Sequence, residues 1–304
     1  MNIVTLTLSP AFDIHCKAES FSVNRENIAS ITDRDAGGKG VNISRALRIF
    51  GKDSVAIVAV GEENADSFIA SLVKDGIDYR AIKFPGRIRE NITVHTLDGG
   101  ETRLSFRDDN SPADLLARVQ KTVEELCDSD TVLTITGRIP EEIPIGDIKS
   151  FIEILRIKGV RVIIDSRSFT LYDLIESKPF LIKPNEEEIS AYMGREVKTF
   201  ADATLVAEEL HGQGIENVMI SLGAKGAVIA SNEGTFSVAA HEIAPISTIG
   251  AGDSSIAGFI AAMMEGKSAA ECLEYAVAFG SAACLTSGTK PPRRDDILIF
   301  LKKR

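Results

Sequence analysis

The chain has 304 residues, 44% of them hydrophobic and 26% charged, the proportions of an ordinary globular protein able to bury a large core. Its formal net charge of −10 argues against binding a nucleic-acid backbone, because nothing supplies a basic stripe. Cys16, Cys127, Cys272 and Cys284 lie far apart without metal or redox spacing, and no apolar run reaches membrane-spanning length.

Residues 3–8 are apolar and follow no basic region, so the N-terminus reads as a strand rather than a signal peptide, and the expected setting is the cytoplasm. Further short apolar, largely β-branched runs fall at 54–60, 131–136, 160–164, 180–182, 217–222 and 227–230. Helical spacing occupies 41–50, 65–74, 112–127, 145–158 and 201–213. This alternation predicts a mainly parallel sheet with helices on both faces. Several strands run out into Gly or polar residues: Gly61-Glu62, Gly137-Arg138, Asp165-Ser166, Lys183-Pro184-Asn185 and Gly223-Ala224-Lys225-Gly226. In such a sheet the site lies along the carboxyl ends of the strands, so these residues should share one edge.

Two segments break the rhythm. Residues 12–35 are strand-like with no helix after the first strand, and residues 91–106 alternate across the turn Asp98-Gly99-Gly100. Both fit a small second sheet over the active edge, with an apolar face that needs cover. Arg89, Arg103 and Arg107 lie in or beside that hairpin, either as a solvated strand face or as an anion clamp.

Individual motifs are ambiguous. Gly37-Gly38-Lys39-Gly40-Val41-Asn42 opens a helix and offers backbone and side-chain donors, yet a plain turn explains it as well. Asn185-Glu186-Glu187-Glu188 is a capping box by its spacing, and equally a pair of oxygen groups able to hold water around magnesium. His15, His95, His211 and His241 show no metal spacing and no nucleophile partner. The sharpest stretch is Thr248-Ile249-Gly250-Ala251-Gly252-Asp253-Ser254, ahead of an apolar run at 256–264 that Gly266 stops. A glycine turn at a helix start gathers N–H groups on one spot, and the helix dipole adds to it. A carboxylate beside such an anion hole suits a base that takes a proton during phosphoryl transfer; a simple N-cap is the other reading of Asp253.

Taken in order, the strand ending near Asp13, the Gly37–Asn42 motif, Lys183-Pro184-Asn185-x-x-Glu188, Ser221-Leu222-Gly223-x-x-Gly226 and the turn before Asp253 resemble the ribokinase-like, or PfkB, carbohydrate kinases across essentially the whole chain. Arg89-Glu90-Asn91 and Gly280-Ser281-Ala282-Ala283…Gly288-Thr289 resemble the phosphosugar branch: 1-phosphofructokinases, tagatose-6-phosphate kinases and minor 6-phosphofructokinases. The resemblance implies one ribokinase-like domain over 1–304, a three-layer α/β/α fold with a β-sheet lid from about 12–35 and 87–107. It implies transfer of the γ-phosphate of ATP to a ketohexose phosphate; a kinase for an unphosphorylated sugar or nucleoside, and a catalytically silent sugar or nucleotide sensor on the same fold, are the alternative readings. Asp253 would be the base and Gly250, Ala251 and Gly252 the anion hole. Asp13, Gly38, Lys39 and Asn42 would contact the sugar, with Arg89 on its phosphate and Arg138 as a helper. Lys183, Ser221, Gly223 and Gly226 would line the ATP side, and Asn185 and Glu188 would organise Mg²⁺. Ser247, Ile249, Ala283 and Gly288 sit where many relatives hold a monovalent cation, potassium, through backbone carbonyls. Apart from the resemblance, the interrupted rhythm and the alternating Val94, Leu97, Leu104 and Phe106 predict a lid that pairs across a homodimer. Three departures lie near the sugar side: Arg138 where Ser is usual, Thr93 where Lys is frequent, and residues 106–110 where a Pro-Gly pair is usual.

Overall fold

The computed structural model describes residues 1–106 and 111–302. In chain order its strands are β1 (Asn2–Thr7), β2 (Ala11–Ala18), β3 (Ala29–Gly37), β4 (Val55–Gly61), β5 (Asp78–Phe84), β6 (Arg89–Thr96), β7 (Glu101–Leu104), β8 (Thr131–Thr136), β9 (Arg161–Asp165), β10 (Leu181–Ile182), β11 (Asn217–Ser221), β12 (Gly226–Ser231) and β13 (Gly234–Ala239). The helices are α1 (Lys39–Ile49), α2 (Ala65–Lys74), α3 (Leu115–Leu126), α4 (Ile145–Ile157), α5 (Leu171–Ser177), α6 (Glu186–Met193), α7 (Phe200–Gly212), α8 (Ala251–Met264), α9 (Ala269–Ala283) and α10 (Arg294–Lys302).

Among the described residues nine strands form one sheet in the order β13-β12-β11-β10-β9-β8-β1-β4-β5. The pairings from β11 to β5 are parallel, and β12 runs antiparallel to both of its neighbours. The central strands β1, β4, β8 and β9 are buried on both faces, which explains their continuous Val, Ile and Leu runs. One face carries α3 to α7, packed through Leu115, Val119, Ile148, Phe151, Ile189 and Leu210. The other carries α1, α8, α9 and α10, packed through Ile43, Leu47, Ile256, Ile260, Phe279 and Ile297. This is a three-layer α/β/α sandwich, as the alternation predicts.

Residues 78–84 and 234–239 lie outside the apolar runs read from the sequence, and both are strands at the sheet's two edges. Strand β5 carries Asp78, Arg80 and Lys83 on exposed positions, because an edge strand has a neighbouring strand on one side only and its open side meets water.

The second sheet has four strands in the order β3-β2-β6-β7, with β2 parallel to β6 and the other pairs antiparallel. Its inner half is anchored on α2. Phe12 stacks edge-on against Phe68 at 5.5 Å, and Ile14, Cys16 and Val94 join the same cluster. Burial of one such Phe side chain is worth about 1.5–3 kcal/mol, enough to fix the sheet beside the site. Arg34 lies 3.7 Å over the Phe12 ring and pairs with Glu90 at 2.8 Å. The outer half is not covered: Ile31, Leu97, Leu104 and Phe106 are exposed. No helix among the described residues is long and apolar enough to cross a membrane.

Candidate active site

Strand order reverses between β1 and β8, and their carboxyl ends open a crevice of the kind in which ligands bind in α/β sheets. Helix α1 starts there with its first turn pressed against β1. A Cβ on Gly40 would lie 2.5 Å from Thr7 Oγ1, so only glycine permits that approach. Gly38 is the N-cap residue at φ 130°, with no side-chain cap, and Lys39 and Asn42 project from the turn it begins.

Asp253 sits in the first turn of α8 and is almost fully buried. Its Oδ2 accepts a hydrogen bond from Asn42 Nδ2 at 2.9 Å. Arg45 donates to Asn42 Oδ1 at 3.5 Å and pairs with Asp75 at 2.7 Å, which holds the amide so that its NH₂ faces Asp253. Burial pushes the Asp253 carboxyl from 3.8 up to about 6, against the pull of Lys39 and Lys183.

Those two lysines meet on Asp165, a buried carboxylate at the end of β9. Lys39 Nζ lies 3.0 Å and Lys183 Nζ 3.6 Å from Asp165 Oδ2. Burial alone would raise Asp165, but the two ammonium groups outweigh it and hold the acid below its ordinary value. Burial likewise works against the charge on Lys39, and Asp165 and Asp253 more than offset it, leaving its pKa raised. Asp165 was legible only as an acid closing an apolar strand; its position between the lysines is a tertiary fact.

Gly250 has φ 79° and caps α8 with no side chain, so the helix start is left to whatever lies above it. A Cβ on Gly252 would stand 3.0 Å from Lys183 Nζ, which places the ammonium over the Gly250, Ala251, Gly252 turn. Open N–H groups, a helix N-terminus and a lysine converge, and this fits an anion such as a terminal phosphate.

The small sheet brings a second polar group to the same edge. Asp13, buried on β2, accepts from Asn91 Nδ2 at 3.1 Å and from Arg103 Nη2 at 3.0 Å. Arg89 joins this chain through Asn91, donating to its Oδ1 at 3.1 Å, and also reaches the carbonyls of Phe106 and Ser9. Arg138 follows β8 and has a different partner. Its guanidinium is held by Glu141 at 2.6 Å. Thr93 is buried opposite His15 on β2, and Phe106 is exposed. Arg107 and the rest of the departure at 106–110 lie outside the described residues.

Asn185 and Glu188 form the capping box of α6: Glu188 N–H donates to Asn185 Oδ1 at 2.8 Å and Asn185 N–H to Glu188 Oε2 at 3.1 Å. Arg167 takes the other Glu188 oxygen at 2.6 Å. Each carboxylate oxygen keeps a second lone pair, so an oxygen donor set for a hydrated divalent ion remains compatible with the cap. Ser221 is bridged to Asn185 along the sheet edge, and Gly223 and Gly226 form the turn from β11 into β12.

Ser247 and Ile249 lie beside the loop after α9: Ile246 N–H donates to the Cys284 carbonyl at 2.8 Å, and Ile249 N–H to Ser247 Oγ at 3.2 Å. The Ala283 carbonyl accepts from Thr286 N–H at 3.1 Å, and the single Thr286 hydroxyl proton serves either that carbonyl or the Lys290 carbonyl, each 2.8 Å away. With the hydroxyl turned to Lys290, one Ala283 lone pair stays open, so a carbonyl cation site using Ala283 remains compatible with this arrangement. Gly288 instead abuts His15 of the small sheet. Neither the His15 contact nor the Arg103–Asp13 pair was predictable, since residue spacing along the chain carries no sign of them.

The family model for the pfkB family of carbohydrate kinases matches residues 9–296. A 1-phosphofructokinase of Haloferax volcanii is 32% identical over 302 residues, covering 97% of this chain and 95% of that relative. Phosphofructokinase-2 from Escherichia coli in complex with fructose-6-phosphate superimposes with a TM-score of 0.91 at 25% identity, covering 99% of this chain and 98% of the other. The same enzyme in complex with potassium superimposes with a TM-score of 0.92 at 26% identity, again over 99% and 98%.

Proposed function

From the premise that the chain belongs to the pfkB family of carbohydrate kinases, we propose that it transfers the γ-phosphoryl group of ATP to a hydroxyl of a ketohexose phosphate and releases the sugar bisphosphate. The acceptor class is fructose 1-phosphate, fructose 6-phosphate or tagatose 6-phosphate. The observation that carries the reading is Asp253, a buried carboxylate pushed to about 6 and standing in the first turn of an uncapped helix under Lys183. Its Oδ2 takes the proton of the acceptor hydroxyl as that oxygen attacks the γ-phosphorus and the bond to the β-phosphate oxygen breaks. Asn42 keeps the carboxylate aimed, and the turn N–H groups with Lys183 and Lys39 meet the charge that spreads over the transferring oxygens. Asp13, Gly38, Lys39 and Asn42 would orient the sugar. Arg89, with Arg103 beside it, would hold the sugar's own phosphate. Lys183, Ser221, Gly223 and Gly226 would line the nucleotide side.

A divalent ion, magnesium by our reading, shields the phosphate charge when bound, and Asn185 and Glu188 would hold its waters. Glu188→Gln tests this against a purely structural cap. The amide still accepts from Asn185 N–H, so the melting temperature should move little. The Mg²⁺ concentration for half-maximal rate should rise severalfold; an unchanged titration would return the pair to the role of a helix cap. A monovalent cation near Ser247, Ile249 and Gly288 could take the Ala283 carbonyl while the Thr286 hydroxyl donates to the Lys290 carbonyl.

The exposed Ile31 and Leu104 lie on the face of the small sheet that also carries Cys16 and Ile92. We take this as the face by which the sheet, acting as a lid, pairs with a second copy of the chain. Sedimentation equilibrium at micromolar concentration should show a dimer; a monomer with full activity would remove the pairing and leave the lid. The four free thiols suit a reducing cytoplasm. ADP release measured across sugars and sugar phosphates tests the reading as a whole, and a preference for an unphosphorylated sugar or a nucleoside would replace the acceptor proposed above.

A further inference from the structure

Two contacts join the small sheet to the turn that follows α9. On β3, Asp33 Oδ2 accepts from Lys290 Nζ at 2.7 Å, and that bond raises the Lys290 pKa above its ordinary value. On β2, the buried His15 ring lies against Gly288, where a Cβ would come within 2.8 Å of Nε2. His15 Nε2 makes no hydrogen bond, while Nδ1 is 3.2 Å from His95 Nε2 and the two rings stack at 5.5 Å.

The turn between these contacts is tied to itself, through Thr286 Oγ1 to the Lys290 carbonyl at 2.8 Å and Lys290 N–H to the Ser287 carbonyl at 3.3 Å. These bonds close residues 286–290 into one turn. Its Thr289 Cα stands 3.9 Å from where a Gly250 Cβ would be, against the residue that caps α8 and starts the anion-binding turn. At the other end, His15 is two residues from Asp13 on the same strand and so shares its face. A cavity of about 360 Å³, lined by Asp33, Asp35, Arg45, Thr289, Lys290 and Pro291 among others, flanks the joint. The joint is thus not locked in the close-packed core, and there is room for the sheet to change posture.

We propose that Lys290, Asp33 and His15 are positioning residues that latch the sugar-side sheet to the turn beside Gly250, so that binding of a sugar phosphate and binding of a nucleotide are coupled. The sheet's posture is the element both ligands bias. Sugar phosphate held by Asp13, Arg89 and Arg103 fixes the sheet, and the latch passes that posture to the 286–290 turn and on to the phosphate-binding turn. The coupling is reciprocal, because each ligand changes the other's affinity by one factor. This rests on the phosphosugar reading above.

The test is calorimetric titration of a non-hydrolysable ATP analogue with Mg²⁺ into the full chain, with and without saturating fructose 1-phosphate or fructose 6-phosphate. The ratio of the two nucleotide affinities is the coupling factor. Lys290→Met and Asp33→Asn should each shrink that factor by about two- to fivefold, the range that an exposed ion pair commonly carries. Nucleotide affinity without sugar should stay near wild type. The charge-swapped pair Asp33→Lys with Lys290→Asp should regain coupling, which a merely structural role would not require. His15→Phe keeps the ring's bulk against Gly288 and should retain coupling, whereas His15→Ala should lose it. A wild-type factor of one, or variants that keep the wild-type factor, would overturn the latch while leaving the phosphosugar reading intact. If the wild type binds neither of these sugar phosphates nor tagatose 6-phosphate, the phosphosugar reading falls and the latch with it.

Discussion

Asp253→Asn should lower kcat by about 10²–10⁴ or more, with binding of ATP little changed. The substitution keeps the shape of the side chain and still accepts a hydrogen bond from Asn42, so what it removes is basicity. The pH profile gives an independent check. The base works only as a carboxylate, and burial has moved its pKa from 3.8 to about 6. In the free enzyme kcat/KM should therefore fall as pH drops through about 6, rather than holding to the range of a solvated acid. The residual activity of the Asn variant should lose that acidic limb. Stability runs the opposite way. The folded state binds this proton more tightly than the unfolded chain, so the residue's stabilising contribution is present below 3.8 and is lost as pH rises to about 6. At neutral pH the Asn variant should melt at or above the wild-type temperature. A variant that turns over near the wild-type rate would remove Asp253 from the chemistry.

Arg89→Ala should weaken kcat/KM for the phosphosugar by a few kcal/mol, about what a charged hydrogen-bonding partner carries, and leave the KM for ATP nearly alone. A protein of net charge −10 needs local cations to hold a dianionic sugar beside ATP, and the guanidinium fork can donate two parallel bonds to a phosphate. Arg89 also braces Asn91, which in turn holds Asp13, so truncation disturbs the sugar side twice. Arg89→Lys separates the two effects: it keeps the charge and loses the fork, and should recover only part of the loss. The wild-type site should reject the plain sugar on the order of 10⁴-fold in kcat/KM, since its cations would be left unpaired. Arg138→Ser should change substrate choice little, because the guanidinium is already held by Glu141. Better use of a plain sugar than of every sugar phosphate would reverse this account of the site.

What could be read in advance was what local chemistry repeats. Strands such as β4 and β8 are buried on both faces and must be apolar along their whole length, and the helices between them show their buried stripe at regular spacing. The hairpin β6–β7 announced itself by alternation across a glycine turn. Edge strands β5 and β13 did not, because half of each faces water and the pattern is diluted by charge and small residues.

The sequence by itself determined the architecture and singled out Asp253 as the proposed base. Gly250, Ala251, Gly252 and Asp253 are contiguous, and a helix start holds four such residues in one place wherever it is put. Tertiary structure alone decided what surrounds that base. Lys39, Asp165 and Lys183 come from three different elements and meet only when β1 and β9 take their places in the sheet. The same holds for Arg103 on Asp13, ninety residues apart, and for His15 against Gly288. Each of these contacts is a product of strand order and register, which bring distant positions to one edge. Periodicity along the chain reports which face of an element is buried, and says nothing about which other element buries it.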